Sequence, residues 1–372
     1  MLLKLNLLLF FYCIFLSVSA QAPVCNTRIF QLQLGSSRAE SPSDVLMLPD
    51  GYLLAGKDSS ASGVFGRLIR LDEDGKVVVS KEIKMGSNAL QIKKLRFISN
   101  TLFALGETAD NSGKATPVLM TIDASTLNVL SATTLTPSPA SWHAAAFDQG
   151  EADTLSILCY NDSMINVTRV TVDGTVLWSK SYKTGTRPDP VGIVNNYTDF
   201  YIAYNTVEGG IHKAVVMRLG NNGVQHTNSV VGGGTGNVEY ILHSMQMVLG
   251  LLYITGVELK DGKAFPFRFT VSLTITLING EEDFSLSSLS TGLSLRTAQS
   301  DWSEVIAAGM PNSSALYLAF TFPLNYNSPI SAKKISYPYP VTLKQIIRTA
   351  DAGSLILAQE AGNWKDRPDK SR

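Results

Sequence analysis

The chain has 372 residues, 45% of them apolar and 17% charged, with 31 basic side chains set against 31 acidic ones. That much apolar material supports a buried core and argues against disorder. Charge is balanced and no Lys/Arg run is longer than two, so nothing here attracts a phosphate backbone and a nucleic-acid partner is not expected.

The chain opens with MLLKLNLLLFFYCIFLSVSA, residues 1–20, in which Lys4 precedes an apolar run from Leu7 to Leu16 and Val18-Ser19-Ala20 supplies small residues for cleavage. This is the layout of a secretory signal peptide. The competing expectation is an uncleaved anchor, because ~17 apolar residues just span a bilayer. No second run of that length follows, so no membrane span is expected after cleavage, and residues 21–372 read as one domain. Cys13 leaves with the signal; Cys25 and Cys159 remain, in a compartment that permits a disulfide.

A short strand pattern, RIFQLQLGSS (Arg28 to Ser37), comes next, followed by the segment that organises the rest of the chain. Tyr52-Leu53-Leu54-Ala55-Gly56 has six later counterparts, ending at Gly106, Cys159, Tyr204, Gly256, Gly309 and Gln359, at spacings of 45 to 53 residues. Each follows another apolar segment and a turn. Each precedes a polar loop and a third strand such as GRLIRLDEDGK, VTRVTVDGT or AVVMRLGNNG. Asp-Gly and Asn-Gly suit the positive φ angles of tight hairpins. A fourth strand then follows, as in KVVVSKEI, VLWSKSY and ISAKKISY.

Four strands per ~50 residues is the unit of a β-propeller blade. Seven equal all-β units could close into a ring or stack as a solenoid. Arg28–Ser37 reads as a fourth strand without its first three, and the last unit has only its first two before running into AGNWKDRPDKSR. That arrangement fits a ring whose seventh blade is closed by the N-terminal strand. The expected fold is therefore all-β, a seven-bladed propeller of four-stranded antiparallel blades. On opposite sides of such a ring, Cys25 and Cys159 are not expected to pair.

LPDGYLLAGKDSSASGVFGRLIRLDEDGKVVVSKEI and INVTRVTVDGTVLWSKSY resemble the repeats of secreted bacterial β-propellers, related in pattern to quinoprotein-like and delta-60 repeats. The resemblance spans essentially the whole mature chain. It is specific for architecture and weak for activity, since such repeats serve enzymes, adhesins and scaffolds alike. One departure stands out. In the first unit the third strand begins near Arg67, about eleven residues after Gly56, whereas only thirteen polar residues, including Pro368, follow Gln359. The seventh blade is thus expected to lack one strand, which leaves unpaired edges. Either the tail serves as a poor strand or the chain is shorter than its relatives.

Motifs for chemistry are sparse. His143, His212, His226 and His243 are scattered, without the convergent ligands of a zinc site. LDEDGK (Leu71 to Lys76) holds part of a Ca²⁺-loop pattern and reads as a turn. VVGGGTGN (Val230 to Asn237) lacks the Lys-Ser/Thr of a phosphate loop and reads as a link between blades. Ser331 to Lys334, SAKK, falls in an outer strand without the companion motifs of an acyl enzyme. Glu281-Glu282-Asp283 reads as a solvated turn, and Trp142, Trp178, Trp302 and Trp364 form no repeated docking platform. Four Asn-x-Ser/Thr sites, at Asn161, Asn166, Asn196 and Asn312, read as incidental.

One pattern remains. An acid follows the second strand within a few residues in six units: Asp58, Glu107, Asp162, Glu208, Glu258 and Glu360. Loops on that face of a propeller could gather these carboxylates around the channel mouth to hydrogen-bond a sugar or hold a cation; the alternative is a loop kept acidic for solubility. Asp58, Glu107, Asp162, Glu208 and Glu258 are the candidate binding residues, with no catalytic or metal-ligating residue assigned. The function expected is that of a secreted, periplasmic or cell-surface monomer that binds a glycan or protein ligand or serves as a scaffold. No cofactor is expected, Ca²⁺ being the one candidate. The rival is a polysaccharide hydrolase or lyase that uses the same carboxylates.

Overall fold

The computed structural model describes residues 39–360 apart from 61–62, 136–140, 152, 233–237, 249, 262, 276, 283–293, 300–303, 310–312, 322–330 and 350–353. The expected signal peptide, Cys25, the Arg28–Ser37 strand, Trp302 and Trp364 lie outside these residues, as does the side chain of Glu360. The described residues contain strands and turns and no helix.

The first blade is β1 (Ala39–Leu48), β2 (Gly51–Ser60), β3 (Gly63–Leu71) and β4 (Val77–Ile83). The second is β5 (Ala89–Ile98), β6 (Thr101–Ala109), β7 (Ala115–Ile122) and β8 (Val129–Thr134). The third comprises β9 (His143–Gln149), β10 (Thr154–Tyr160), β11 (Met164–Thr171) and β12 (Val176–Lys183). The fourth comprises β13 (Thr186–Asn196), β14 (Asp199–Glu208), β15 (Ile211–Gly220) and β16 (Gln225–Gly232). Blade five is β17 (Val238–Val248), β18 (Leu251–Lys260), β19 (Lys263–Val271) and β20 (Leu277–Glu282). Blade six is β21 (Ser294–Gln299), β22 (Glu304–Gly309), β23 (Ala315–Thr321) and β24 (Ser331–Ser336). Among the described residues blade seven is a pair, β25 (Val341–Arg348) and β26 (Ser354–Glu360).

Every sheet is antiparallel and ordered as the chain runs, so each blade is a meander. The first strands β1, β5, β9, β13, β17, β21 and β25 touch in succession, and β25 returns against β1. The sheets therefore form a closed β-propeller of seven blades with the first strands innermost. Gln359 Nε2 donates to the carbonyl of Glu40 across the closing junction at 2.9 Å.

The core is a set of layers between blades. One cluster joins Leu53 and Leu68 of blade one to Ile92 and Ala104 of blade two. Others join blades two and three, three and four, four and five, and six and seven. A second strand is covered on both faces, so β10 and most of β14 are buried at successive residues. This explains why the recurring segment is a continuous apolar run rather than an alternating one. Outer strands alternate: Trp178, Lys180 and Tyr182 of β12 all point to blade four, where they donate to the carbonyls of Asn221, Asn222 and Gly223 at 3.0, 2.8 and 2.7 Å.

Six of the seven inner strands carry a register shift at matching places, leaving Ser43, Lys93, Ala145, Val191, His243 and Lys344 bulged. The second-strand residue at that level is the last of the recurring segment: Gly56, Gly106, Cys159, Tyr204, Gly256 and, in blade seven, Ala358. A bulge bends the strand and pushes its backbone toward its partner. A Cβ at Gly56 would lie 2.4 Å from the Ser41 carbonyl oxygen, and at Gly256 2.2 Å from that of Ile241. At Gly56 and Gly256 the bulged strand leaves no room for a Cβ, whereas blades three, four and seven accommodate Cys159, Tyr204 and Ala358 at the same level.

Three expectations need correction. In blades one, two and five the second strand does not end at the recurring glycine but continues for three or four residues, and β14 likewise runs four residues past Tyr204 to the Gly209-Gly210 hairpin, with φ of 62° and 82°. Glu281 and Glu282 lie within β20, paired with Arg268 and Phe267, rather than in a turn, because the β19–β20 ladder runs on past Gly280. Blade seven aligns on Ala358 rather than Gln359.

Candidate functional site

Four of the five candidate acids stand in strands and not in loops. Asp58 and Glu258 occupy the same position, two residues beyond the glycine, and both are buried. Asp58 faces Arg67 at 3.6 Å within its own blade. Glu208 closes β14, with its side chain 72% exposed and paired with Lys213. Asp162 is the only one in a turn; it is exposed, and its backbone carbonyl accepts the Arg187 N–H at 2.8 Å. The five therefore do not form one ring of similar carboxylates, because side chains one residue apart on a strand point to opposite faces.

Glu107 is different. It directly follows Gly106, and its Oε2 accepts the Ala144 N–H of blade three at 3.2 Å. The same position in blade four is Asn205, whose Oδ1 accepts the Leu242 N–H at 2.6 Å and whose Nδ2 donates to the Leu242 carbonyl at 2.9 Å. In blade seven it is Gln359, which reaches Glu40 of blade one. A polar side chain immediately after the recurring segment thus ties each of these blades to the next one's inner strand.

Around Glu107 a mixed cluster assembles. Lys93 Nζ lies 3.3 Å from Glu107 Oε1, and His143 Nδ1 lies 3.5 Å from Oε2. The His143 ring packs on Tyr160, centroids 5.3 Å apart and tilted by 39°. Burial raises the Tyr160 phenol above its ordinary range, and the carboxylates of Asp189 and Glu107 push it further the same way. Glu107 is 15% exposed, Lys93 27% and His143 44%, so the cluster opens to solvent at the junction of blades two and three. It offers an ammonium, an imidazole and a phenol as donors beside a carboxylate acceptor, and it can hydrogen-bond a polyhydroxylated or peptide ligand. Its lysine is a bulged residue and its histidine starts an inner strand, so scattered spacings in the sequence conceal it. The legible signal is the long polar residue after the recurring segment, visible once the seventh copy is aligned on Ala358.

The remaining motifs take structural roles. Asp72 Oδ1 accepts the amides of Asp74 and Lys76 at 3.1 and 2.8 Å, which makes LDEDGK an Asp-capped turn. No group of three or more His, Cys, Asp or Glu side chains converges as a metal site among the described residues. Cys159 is a free, fully buried thiol. Burial pushes its pKa well above the ordinary thiol range, with Glu107 adding to the shift.

No protein-family model matches the chain, and no curated protein matches its sequence. Solved structures do match. Drosophila Semaphorin 1b, extracellular domains 1–2, is 12% identical with a TM-score of 0.55, over 88% of this chain and 85% of that one. Drosophila Plexin A in complex with Semaphorin 1b gives 10% identity and a TM-score of 0.53, over 88% and 85%. The propeller domain of the Trilobed protease from Pyrococcus furiosus, described as having an open velcro topology, gives 8% and 0.50, over 86% and 95%. What they share with this chain is the propeller fold. At such identities the likeness carries nothing about ligand or activity.

Proposed function

We propose that this chain is a secreted, non-enzymatic binding or scaffold propeller that engages a glycan or a protein through the face where the second-to-third-strand hairpins and blade links emerge. The observation that carries this reading is the meeting of Lys93, Glu107, His143 and Tyr160, a solvent-open set of complementary hydrogen-bonding groups held by the first and second strands of blades two and three. Loops and strand ends on a rigid scaffold are where binding residues concentrate. A non-catalytic role is supported by the engagement of the acids: Asp58 with Arg67 in the first blade, Glu107 with the Ala144 amide. Export is supported by the Lys4, Leu7–Leu16 and Val18-Ser19-Ala20 pattern and fits a cell-surface, periplasmic or released protein of bacterial type. No cofactor is required by this reading, and Ca²⁺ stays in the test as a candidate.

The test is a thermal melt of the secreted protein against Ca²⁺ and a panel of polysaccharides and extracellular proteins. A ligand at ~100 times its dissociation constant adds about 2.7 kcal/mol to stability. The reading expects one panel member to raise the melting temperature and Glu107→Gln or His143→Ala to abolish the shift while leaving the unliganded melt near its original position. Consumption of a polysaccharide would instead establish the hydrolase or lyase. Sequencing of the secreted protein from Gln21 onward would establish export with cleavage after Ala20.

A further inference from the structure

Three of the four Asn-x-Ser/Thr sites, at Asn161, Asn166 and Asn196, fall on described residues, and the fold treats them differently; Asn312 lies outside. Such a site takes an oligosaccharide on its amide nitrogen when a chain passes through a compartment that glycosylates asparagine. The sugar is bulky and polar, so a site that carries it belongs at the surface.

Asn166 breaks that rule. It lies in β11, the third of four strands, between Cys159 of β10 and Ser181 of β12, and is 1% exposed. An asparagine amide has two N–H donors, and both are spent, on Ser179 Oγ and Ser181 Oγ at 3.1 Å each. Its Oδ1 accepts the hydroxyl of Thr168, the last residue of the same site, at 2.8 Å, and Thr168 is itself buried. A sugar on this nitrogen would replace one of the two donors. It would also have to fit where the asparagine itself barely reaches solvent, burying hydroxyls that have no partners. Blade three cannot form around it.

The ring also closes too late to shield the site. Oligosaccharide transfer acts on the emerging chain, whereas the closing bonds, Gln345 to Asp44 and Gln359 to Glu40, are made by the last blade, long after Asn166 has emerged. Asn161 adds a second conflict. It directly follows Tyr160 of the ligand cluster, in a turn where its Oδ1 accepts the Ser163 and Met164 amides at 3.1 and 2.9 Å. A glycan there would stand beside the cluster and compete with any ligand. Asn196 carries neither conflict, since it borders the β13–β14 turn, where Tyr197 and Thr198 are exposed. We infer that this chain is exported by a route that attaches no oligosaccharide to Asn-x-Ser/Thr, and that it meets its ligand with Asn161 and Asn166 unmodified. This rests on the export reading above and narrows the route.

The test is secretion of the full chain from a eukaryotic cell that glycosylates asparagine, with glycan positions mapped by mass spectrometry. The chain is expected to be retained and to carry a glycan at Asn166, with Asn196 occupied as the sign that transfer took place. Blocking oligosaccharide transfer should raise the yield of folded, secreted protein several-fold. Thr168→Val, which abolishes the site at the loss of one hydroxyl, should raise it too, whereas Thr168→Ser, which keeps the site, should not. Equal secretion of folded protein with transfer active and blocked overturns the inference, whether Asn166 is then bare or occupied. A retained chain that is bare at Asn166 overturns it as well, and so does retention that neither blocking transfer nor Thr168→Val relieves. Cleavage after Ala20 is scored separately by the sequencing from Gln21, so a failure of export and a failure of this inference are distinct results.

Discussion

Gln345 of blade seven donates from Nε2 to Asp44 Oδ1 of blade one at 3.2 Å, across 301 positions of chain. The other oxygen of the same carboxylate accepts the Leu95 N–H of blade two at 2.8 Å. One buried side chain therefore bonds to the blades on either side of it, with Lys94 Nζ 3.7 Å away to balance its charge. Stripping Asp44 to alanine leaves a buried amide without its acceptor, a loss of about 1–3 kcal/mol. Asp44→Ala is expected to lower stability by at least that amount, and Asp44→Asn, which keeps an acceptor, by less. Urea denaturation measures both, and an Asp44→Ala protein as stable as the parent would refute the role.

The bulge argument ranks the glycines. A Cβ at Gly256 meets backbone at 2.2 Å, whereas at Gly106 the nearest atom, the Gln91 carbonyl oxygen, is 3.0 Å away. Forcing an inner strand outward costs on the order of 1–3 kcal/mol. Gly256→Ala is expected to fall in that range and Gly106→Ala below it. Equal midpoints in denaturant for the two variants would show that the bulges do not set the glycine requirement.

Acid weakens the turns. The carboxyl of Asp123 is held down to about 2 by the hydroxyl of Ser125 first and then by the Thr126 amide, and those of Asp110 and Asp173 are lowered by the hydroxyls of Ser112 and Thr171 ahead of nearby amides. A carboxyl whose folded pKa lies below its unfolded one contributes stability above the unfolded value and loses it as pH falls through the folded one. For Asp123 that window runs from 3.8 down to about 2. Melting temperature should drop across it, and Asp123→Asn should flatten the drop.

Asp148 has the opposite sign. Burial raises its pKa against the opposing influences of Arg96 and of the Asn195 amide, whose N–H it accepts at 3.0 Å. Its folded state holds the proton more tightly than the unfolded chain does, so stability declines as pH climbs from 3.8 through the raised value. Asp148→Asn keeps the acceptor and removes the charge. It is expected to melt slightly higher than the parent at neutral pH and at the same temperature in acid, which a pair of melts at the two pH values checks.

Cys159 should be chemically silent in the folded ring, being fully buried with its thiol pushed up by burial. Mass-spectrometric mapping of alkylation is expected to show the Cys159 peptide modified only at the rate of unfolding. Fast labelling under native conditions would contradict the packing around it.

The Tyr52–Gly56 pattern and its six echoes determined the second strands and their number, because a strand covered on both faces must be apolar throughout and that is a property of consecutive residues, whereas the closure of the units into a ring is seen in the contact of β25 with β1. Turn chemistry did the same for Asp72 to Lys76, where one carboxylate caps its own neighbours. The acids after the glycines were equally legible, and their roles were not. Asp58 and Glu107 stand two and one residues past their glycines, so the strand's alternation turns one inward beside Arg67 and sends the other to the Ala144 amide of the next blade. The bulges at Ser43, Lys93 and His243 share no residue type, since an extra residue in a ladder is defined by the strand beside it. Likewise the turn at Tyr197 is tied down across blades, where Asn221 donates to the Tyr197 carbonyl while Trp178 and Arg169 of blade three donate to the Asn221 carbonyl. Periodicity is written locally along the chain, whereas whether a side chain is engaged or offered to a partner depends on contacts between segments dozens to hundreds of residues apart, which form only when the ring closes.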